Sequence, residues 1–196
     1  MSKQTIAFYN HFSFLYPVID AILKPQKILL FEEVNKLPKG KLLDVGVGNG
    51  RHLSQYKKHK VVGIDTSIAM LNIARKNRFE HIELIEMSGE ALSFEDQLFD
   101  YVVLSHVIAV VDDANQLLQE VSRVLKPQGQ LFILNHFTPD NWLQHIDSSF
   151  ELIAKALHFK SVFRLGDLSA IKSFKLKKEV SIGMACYFKL FIYQKR

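Results

Sequence analysis

The chain has little cysteine and no long apolar run, and each shortage closes off a class of protein. One cysteine, Cys186, in 196 residues excludes an intramolecular disulfide, which points to an intracellular, cytoplasmic setting. Cys186 lies in an apolar stretch, so an inert core thiol is expected rather than a nucleophile. No stretch approaches the roughly 18 apolar residues of a spanning helix. The N-terminus lacks the basic segment and continuous apolar core of a secretion signal. No internal repeat, low-complexity tract or interdomain linker is visible. What is present is 48% hydrophobic and 23% charged residues, the balance of a folded globular chain. The length suits a single domain over 1–196 with a sizeable core. A formal charge of +5 and a pI near 9.2 favour an anionic partner, nucleic acid or a phospholipid surface, or serve solubility alone.

The most informative stretch is Leu42 to Gly50, LLDVGVGNG. Two leucines, Asp44 and Val45 read as a buried parallel strand reaching its carboxyl end. Gly46, Gly48 and Gly50 follow at alternate positions, where positive φ and close approach of a ligand to the main chain suit glycine. A helix is expected to begin near Asn49 and carry Leu53 inward. Such a strand, turn and helix form the first crevice of a doubly wound α/β fold, where nucleotide-like ligands bind. A dinucleotide fingerprint has its third glycine one position later, and a phosphate loop ends in Gly-Lys-Ser; neither fits. The acid inside the motif, Asp44, suits a ligand presenting an ammonium group. S-adenosylmethionine, with a zwitterionic methionine end and no phosphate, meets that description. The plainer alternative is a turn whose glycines serve packing alone.

Ahead of this motif, the first 37 residues read as helical. Phe8, Phe12, Leu15, Ile19 and Ile22 make one apolar stripe, interrupted at Pro17 and Pro25, and 28–37 makes a second amphipathic segment. Core packing, a lid over the crevice and contact with a membrane are all open for this aromatic-rich start. After the motif, strands are expected at Lys41 to Val45, Val61 to Ile64, Ile82 to Ile85, Phe99 to Ser105 and Gln130 to Leu134. Helices are expected at Ile68 to Asn77, Ala114 to Leu125 and Trp142 to His158. The alternation predicts a parallel sheet. Lys172 to Val180 and Met184 to Tyr193 read as a closing antiparallel hairpin. Asp65, at the tip of the second strand and about 20 residues beyond the first glycine, is placed for a ribose diol. Asp65-Thr66-Ser67 also suits a helix N-cap.

The order of motifs resembles that of class I S-adenosylmethionine-dependent methyltransferases over almost the whole chain. LLDVGVGNG is similar to their first motif, and VVGIDTSIAML, Val61 to Leu71, to the acidic loop after strand two. EALSFEDQLFDYVV, Glu90 to Val103, is similar to their fourth-strand signature, and LKPQGQLFIL, Leu125 to Leu134, to the turn into strand five. A closer resemblance is to bacterial phospholipid N-methyltransferases of the peripheral type. It rests on the spacing of Tyr9 and Tyr16, on VIAVVDD after strand four, and on Asn135-His136-Phe137 after strand five. Two departures stand out: Pro17 replaces the Asp usual after the second tyrosine, and Ser88 replaces an Asp that commonly bonds the adenine amino group.

The resemblance implies a Rossmann-like, seven-stranded α/β sheet, mostly parallel, with a C-terminal antiparallel hairpin and N-terminal helices as a lid. It implies S-adenosyl-L-methionine as cofactor and these roles. Gly46, Gly48 and Gly50 shape the loop, and Asp44 bonds the methionine amino end, directly or through water. Asp65 takes the ribose, Met70 packs on the adenine, and Ser88 and Gly89 meet its edge. Tyr9, Thr66 and Ser105 complete the cofactor set. Tyr16, His106 and His136 are the candidate catalytic groups, the histidines titrating in a useful range or serving only as structural hydrogen-bond partners. His11 and His158 are expected to be structural. The expected acceptor is phosphatidylethanolamine, with peripheral binding to an anionic membrane surface and no obligate protein partner. A soluble small molecule or quinone precursor is the alternative. SHVI at the end of strand four lacks the Asn/Asp-Pro-Pro-Tyr signature used on flipped bases, which speaks against nucleic acid. A non-catalytic cofactor-binding module is the remaining class.

Overall fold

The computed structural model describes residues 27–77, 80–136, 167–182 and 188–196, and the statements below concern those residues. A helix, α1, runs over 27–36 and buries Leu30, Phe31 and Val34, a spacing that puts all three on one helical face. It ends before Pro38, whose ring disfavours helical geometry in the residue ahead of it. Five strands follow: β1 Lys41–Val45, β2 Lys60–Asp65, β3 Ile82–Glu86, β4 Phe99–Ser105 and β5 Leu125–His136. Helix α2, Ile68–Arg75, precedes β3, and α3, Ala114–Val124, precedes β5. The chain closes with β6, Phe174–Ile182, and β7, Phe188–Lys195.

These strands form one sheet in the order β3-β2-β1-β4-β5-β7-β6. The first five are parallel, and β7 runs antiparallel to both β5 and β6. This is the mixed, mostly parallel α/β sheet expected from the sequence. Strand order reverses direction at β1, which pairs with β2 on one side and β4 on the other. The connections therefore leave opposite faces, and a crevice opens beyond the carboxyl ends of β1 and β4.

Strand alternation divides the core in two. Leu43, Val45, Val102, Leu104, Leu131 and Ile133 face α3. Leu42, Val103, Phe132, Leu134 and Leu190 face α1. Each fully buried side chain of this size contributes roughly 1.5–3 kcal/mol relative to exposure, so both faces hold the strand tips in register. Caps fix where the helices start. The Ser67 hydroxyl accepts the Met70 N–H at 3.2 Å. The Asp113 carboxylate accepts the Asn115 and Gln116 N–H groups at 2.9 and 3.0 Å. Arg123 latches the loop after β3 to α3, donating to the Leu92 and Phe94 carbonyls at 2.7 Å each and to Glu120 at 2.9 Å.

Several boundaries differ from the sequence reading. The helix expected near Asn49 is only a 3-10 turn, Leu53–Gln55. The nine residues 51–59 between Gly50 and β2 are too few to span the sheet face and return as an α-helix. Leu53 is buried as expected, and α1 covers that face instead. Helix α2 ends two residues early. Strand β5 starts at Leu125, which pairs with Phe99; the pairing then shifts and resumes at Tyr101 and Gln130. Lys126 to Gly129 are thus a bulge inside a strand, with Gln128 at φ 62°, where Pro127 is tolerated. Strand β6 sits two residues later than expected, and β7 ends two residues later. The stripe from Phe8 to Ile22, Cys186 and the helix expected at Trp142 to His158 lie outside the described residues.

Candidate active site

The crevice beyond β1 and β4 encloses about 630 Å³, including its open mouth. Its floor is the glycine turn. Gly46, Gly48 and Gly50 all adopt positive φ, at 76°, 55° and 68°, but for different reasons. A Cβ on Gly46 would stand 2.5 Å from Val107 Cγ2, and one on Gly50 would stand 2.7 Å from Ala74 Cβ; these two glycines permit packing. At Gly48 an added Cβ would meet nothing within 4 Å, so its backbone faces open space where a ligand can approach.

Asp65 ties this turn to the next. Its Oδ2 accepts the Gly48 N–H at 2.7 Å and its Oδ1 accepts the Ser67 N–H at 2.8 Å. Burial raises its pKa above the ordinary aspartate value, outweighing the N–H groups of Ser67, Gly48 and Thr66. Each carboxylate oxygen retains accepting capacity toward a diol. The helix N-cap is Ser67 rather than Asp65.

Eight of the residues proposed from sequence line the crevice: Gly46, Gly48, Asp65, Thr66, Met70, Ser88, Gly89 and His106. Ser88 uses its hydroxyl to accept the Glu90 N–H at 3.2 Å, which shapes the turn. A Cβ on Gly89 would collide with Leu117 and Val45 at 2.8 Å. His106 follows the tip of β4 at φ 59°, a left-handed conformation in which His is enriched among non-glycine residues. Its N–H donates to the Leu134 carbonyl at 2.7 Å, and its ring stands edge-on to Phe188 at 5.9 Å.

Gly50, Asp44 and Ser105 are not in the crevice lining. Asp44 is buried at the end of β1, and its Oδ2 accepts from the Tyr56 hydroxyl and from His52 Nε2, both at 2.9 Å. Its Oδ1 is buried with no partner among the described residues, as is the Ser105 hydroxyl. His136 ends β5, while Tyr9 and Tyr16 lie outside the described residues. Val45, Met87, Glu90, Val107, Val110 and Val111 also line the crevice, and sequence pattern does not single them out one by one. The VIAVVDD motif is the signal for three of them, since its valines at 107, 110 and 111 form the wall. His52 and Tyr56 carry no signal in the sequence beyond their spacing of four after the glycine turn.

The site therefore combines a backbone floor at Gly48, a half-buried acid at the second strand tip and an apolar wall. Doubly wound α/β domains bind nucleotide-like ligands at this edge. A family profile described as a methyltransferase domain matches residues 43–133. A phosphatidylethanolamine N-methyltransferase of Cereibacter sphaeroides is 29% identical over 165 residues, 80% of this chain and 81% of that protein. A ubiquinone/menaquinone biosynthesis C-methyltransferase of Hahella chejuensis is 33% identical over 51% of this chain and 44% of its own length. The chain thus spans less than half of that relative. In fold, the chain is similar to an S-adenosylmethionine-dependent methyltransferase of Thermotoga maritima, with a TM-score of 0.75 and 21% identity over 97% of this chain and 99% of that one. A methyltransferase-domain profile over 43–133, a methyltransferase relative along four-fifths of the chain and methyltransferase neighbours in fold together support an S-adenosylmethionine-dependent methyltransferase. The residues present fit the cofactor: Gly48 leaves room for it, and Asp44 Oδ1, buried and outside the lining, keeps accepting capacity for an ammonium group reached directly or through water.

Proposed function

We propose that the enzyme N-methylates a phospholipid headgroup amine of the phosphatidylethanolamine type while bound peripherally to an anionic membrane surface. The observation that carries this reading is the extent of likeness. The phosphatidylethanolamine N-methyltransferase aligns along four-fifths of both chains, whereas the quinone C-methyltransferase aligns over about half of this one. The positive net charge and the valine wall support an acceptor that is part lipid. Among the described residues no helix is long and apolar enough to cross a membrane.

When bound, the cofactor supplies an activated methyl on a sulfonium that leaves as a thioether. The chain's part is alignment, exclusion of water and handling of one proton. Gly48 and Asp65 fix the nucleoside, and Asp44 holds the methionine ammonium. Val107, Val110 and Val111 keep that side of the crevice dry. The acceptor amine must be neutral to attack, and at neutral pH a headgroup amine is mostly protonated. His106 receives that proton.

The test is methyl transfer from labelled cofactor with vesicles of phosphatidylethanolamine and an anionic lipid, beside a demethylated quinone and a pool of soluble amines. Label in the lipid headgroup, with vesicle binding that weakens as salt rises, is the expected result. Label confined to the quinone or to a soluble amine overturns the lipid reading.

A further inference from the structure

Asp44 belongs to a buried cluster whose other members have no part in the methyl transfer itself. The glycine turn is followed by tight backbone links, Leu53 N–H to the Gly50 carbonyl at 3.0 Å, Gln55 to His52 at 2.9 Å and Tyr56 to Leu53 at 3.2 Å. These bring His52 and Tyr56, four residues apart, to the same carboxylate. Both reach one oxygen, Asp44 Oδ2, at 2.9 Å, and leave Oδ1 without a partner among the described residues. Phe31 of α1 closes the cluster from above. Its ring is stacked on His52 with centroids 6.1 Å apart and edge-on to Tyr56 at 5.3 Å. Asp44 and Tyr56 are buried. Burial, followed by the neighbouring Asp44 charge, holds the Tyr56 phenol well above its usual pKa, so Tyr56 remains a donor.

An aspartate in so apolar a setting needs hydrogen bonds to its charged form. With both donors on Oδ2, the carboxylate is held at one rotation about its Cβ–Cγ bond. The other oxygen then points away from the donors. We propose that His52 and Tyr56 are positioning residues that fix the Asp44 carboxylate, directing Oδ1 to the ammonium of the bound cofactor. This rests on the reading that Asp44 receives that ammonium. Neither residue touches the cofactor, and neither handles a reacting atom. Their effect is confined to ligands that carry the amino-acid end.

The experiment compares two ligands by calorimetry: S-adenosylhomocysteine, which has the ammonium, and 5′-methylthioadenosine, which keeps the nucleoside and sulfur without it. Tyr56→Phe and His52→Ala are each expected to weaken the first roughly tenfold, the loss typical of one hydrogen bond to a charged group, and to leave the second unchanged. His52→Gln, which keeps an N–H donor, restores affinity for the first. Equal weakening of both ligands, or of neither, overturns the proposal. If Tyr56→Phe fails to fold, the two His52 variants decide the matter by the same criterion. Asp44→Asn separates the two levels: a selective loss there with none at His52 and Tyr56 sinks the positioning role alone. No selective loss at Asp44 removes the ammonium reading beneath it.

Discussion

Where β2 ends, the chain meets its own polar groups: Asp65 accepts from Gly48 on one side and Ser67 on the other, and Ser67 in turn caps α2. Where β4 and β5 end, the Ser105 hydroxyl and the Asn135 amide nitrogen are buried with no partner among the described residues. Buried polar atoms of that kind are few in folded proteins, and each needs an explanation. Among the described residues, the rim at β2 is thus tied together by its own hydrogen bonds, while the rim at β4 and β5 carries buried polar atoms without a partner. A preformed rim suits a cofactor common to many methyltransferases, and an incomplete one suits an acceptor that differs between them.

The largest break in this comparison comes from His106, at the incomplete rim. His106→Asn keeps a residue that tolerates the left-handed backbone but removes the imidazole. Turnover on the acceptor is expected to fall roughly 10²–10⁴-fold, the range for loss of a general base, while calorimetric affinity for S-adenosylhomocysteine stays unchanged. Equal loss of affinity and turnover would make His106 part of the nucleoside rim instead.

Asp65→Asn comes next and acts on the preformed rim. The amide can accept at one position but presents an N–H₂ to a backbone N–H at the other, so either the Gly48 or the Ser67 contact is lost. If Asp65 takes the ribose diol, cofactor affinity is expected to fall about 100-fold, two charge-assisted hydrogen bonds at roughly 1.5 kcal/mol each. Retention of wild-type affinity would show that the acid serves the turn alone.

Acidity sharpens the same contrast without mutation. The folded pKa of Asp65 lies above its unfolded value because burial prevails. The fold therefore disfavours its charge: that penalty is absent below the unfolded pKa and is fully felt above the folded one. Cofactor affinity, which draws on the ionised form, should decline as pH falls through this raised value, earlier than for an ordinary aspartate. Glu120 is the opposite case, lowered by its hydrogen bond from Arg123 against the effect of burial. Its contribution to stability is present above its unfolded pKa and is lost as pH falls through the folded one. Titrations of affinity and of melting temperature against pH should diverge in that order. Affinity that stays flat down to the ordinary aspartate range would contradict the first half.

The nucleoside rim is largely legible in the amino-acid sequence, because its parts are local. Gly48, Asp65, Thr66 and Met70 are read from a glycine spacing and an acid at a strand tip, and all four line the crevice. The parallel sheet and its antiparallel close are equally visible in the alternation of apolar runs. Local pattern does not say which strand of the terminal hairpin meets β5, and β7 does so. Nor does it give the 3-10 turn after Gly50, since that follows from how few residues separate two strands rather than from their character. Asp44 reads as a ligand group from its place in the motif, yet its bonds to His52 and Tyr56 depend on that same turn, which no local pattern encodes. Ser88, read as an adenine contact, also shapes its own turn through the Glu90 N–H.

The smallest expected effect falls on Ser105, where the two rims make opposite predictions for stability. Removing a hydroxyl that has partners exposes them and destabilises by about 1 kcal/mol. Removing one that is buried without a partner takes away a desolvated group and costs little, or stabilises. Ser105→Ala should therefore hold or slightly raise the melting temperature. Ser67→Ala, which strips the cap of α2, should lower stability by about 1 kcal/mol. If the Ser105 hydroxyl is met by the acceptor, the same alanine variant should raise the acceptor KM with kcat little changed, since only binding energy common to ground and transition states is lost. A fall in melting temperature for Ser105→Ala matching that of Ser67→Ala would mean that the hydroxyl is already satisfied within the fold, and the contrast between the rims would have to rest on Asn135 alone.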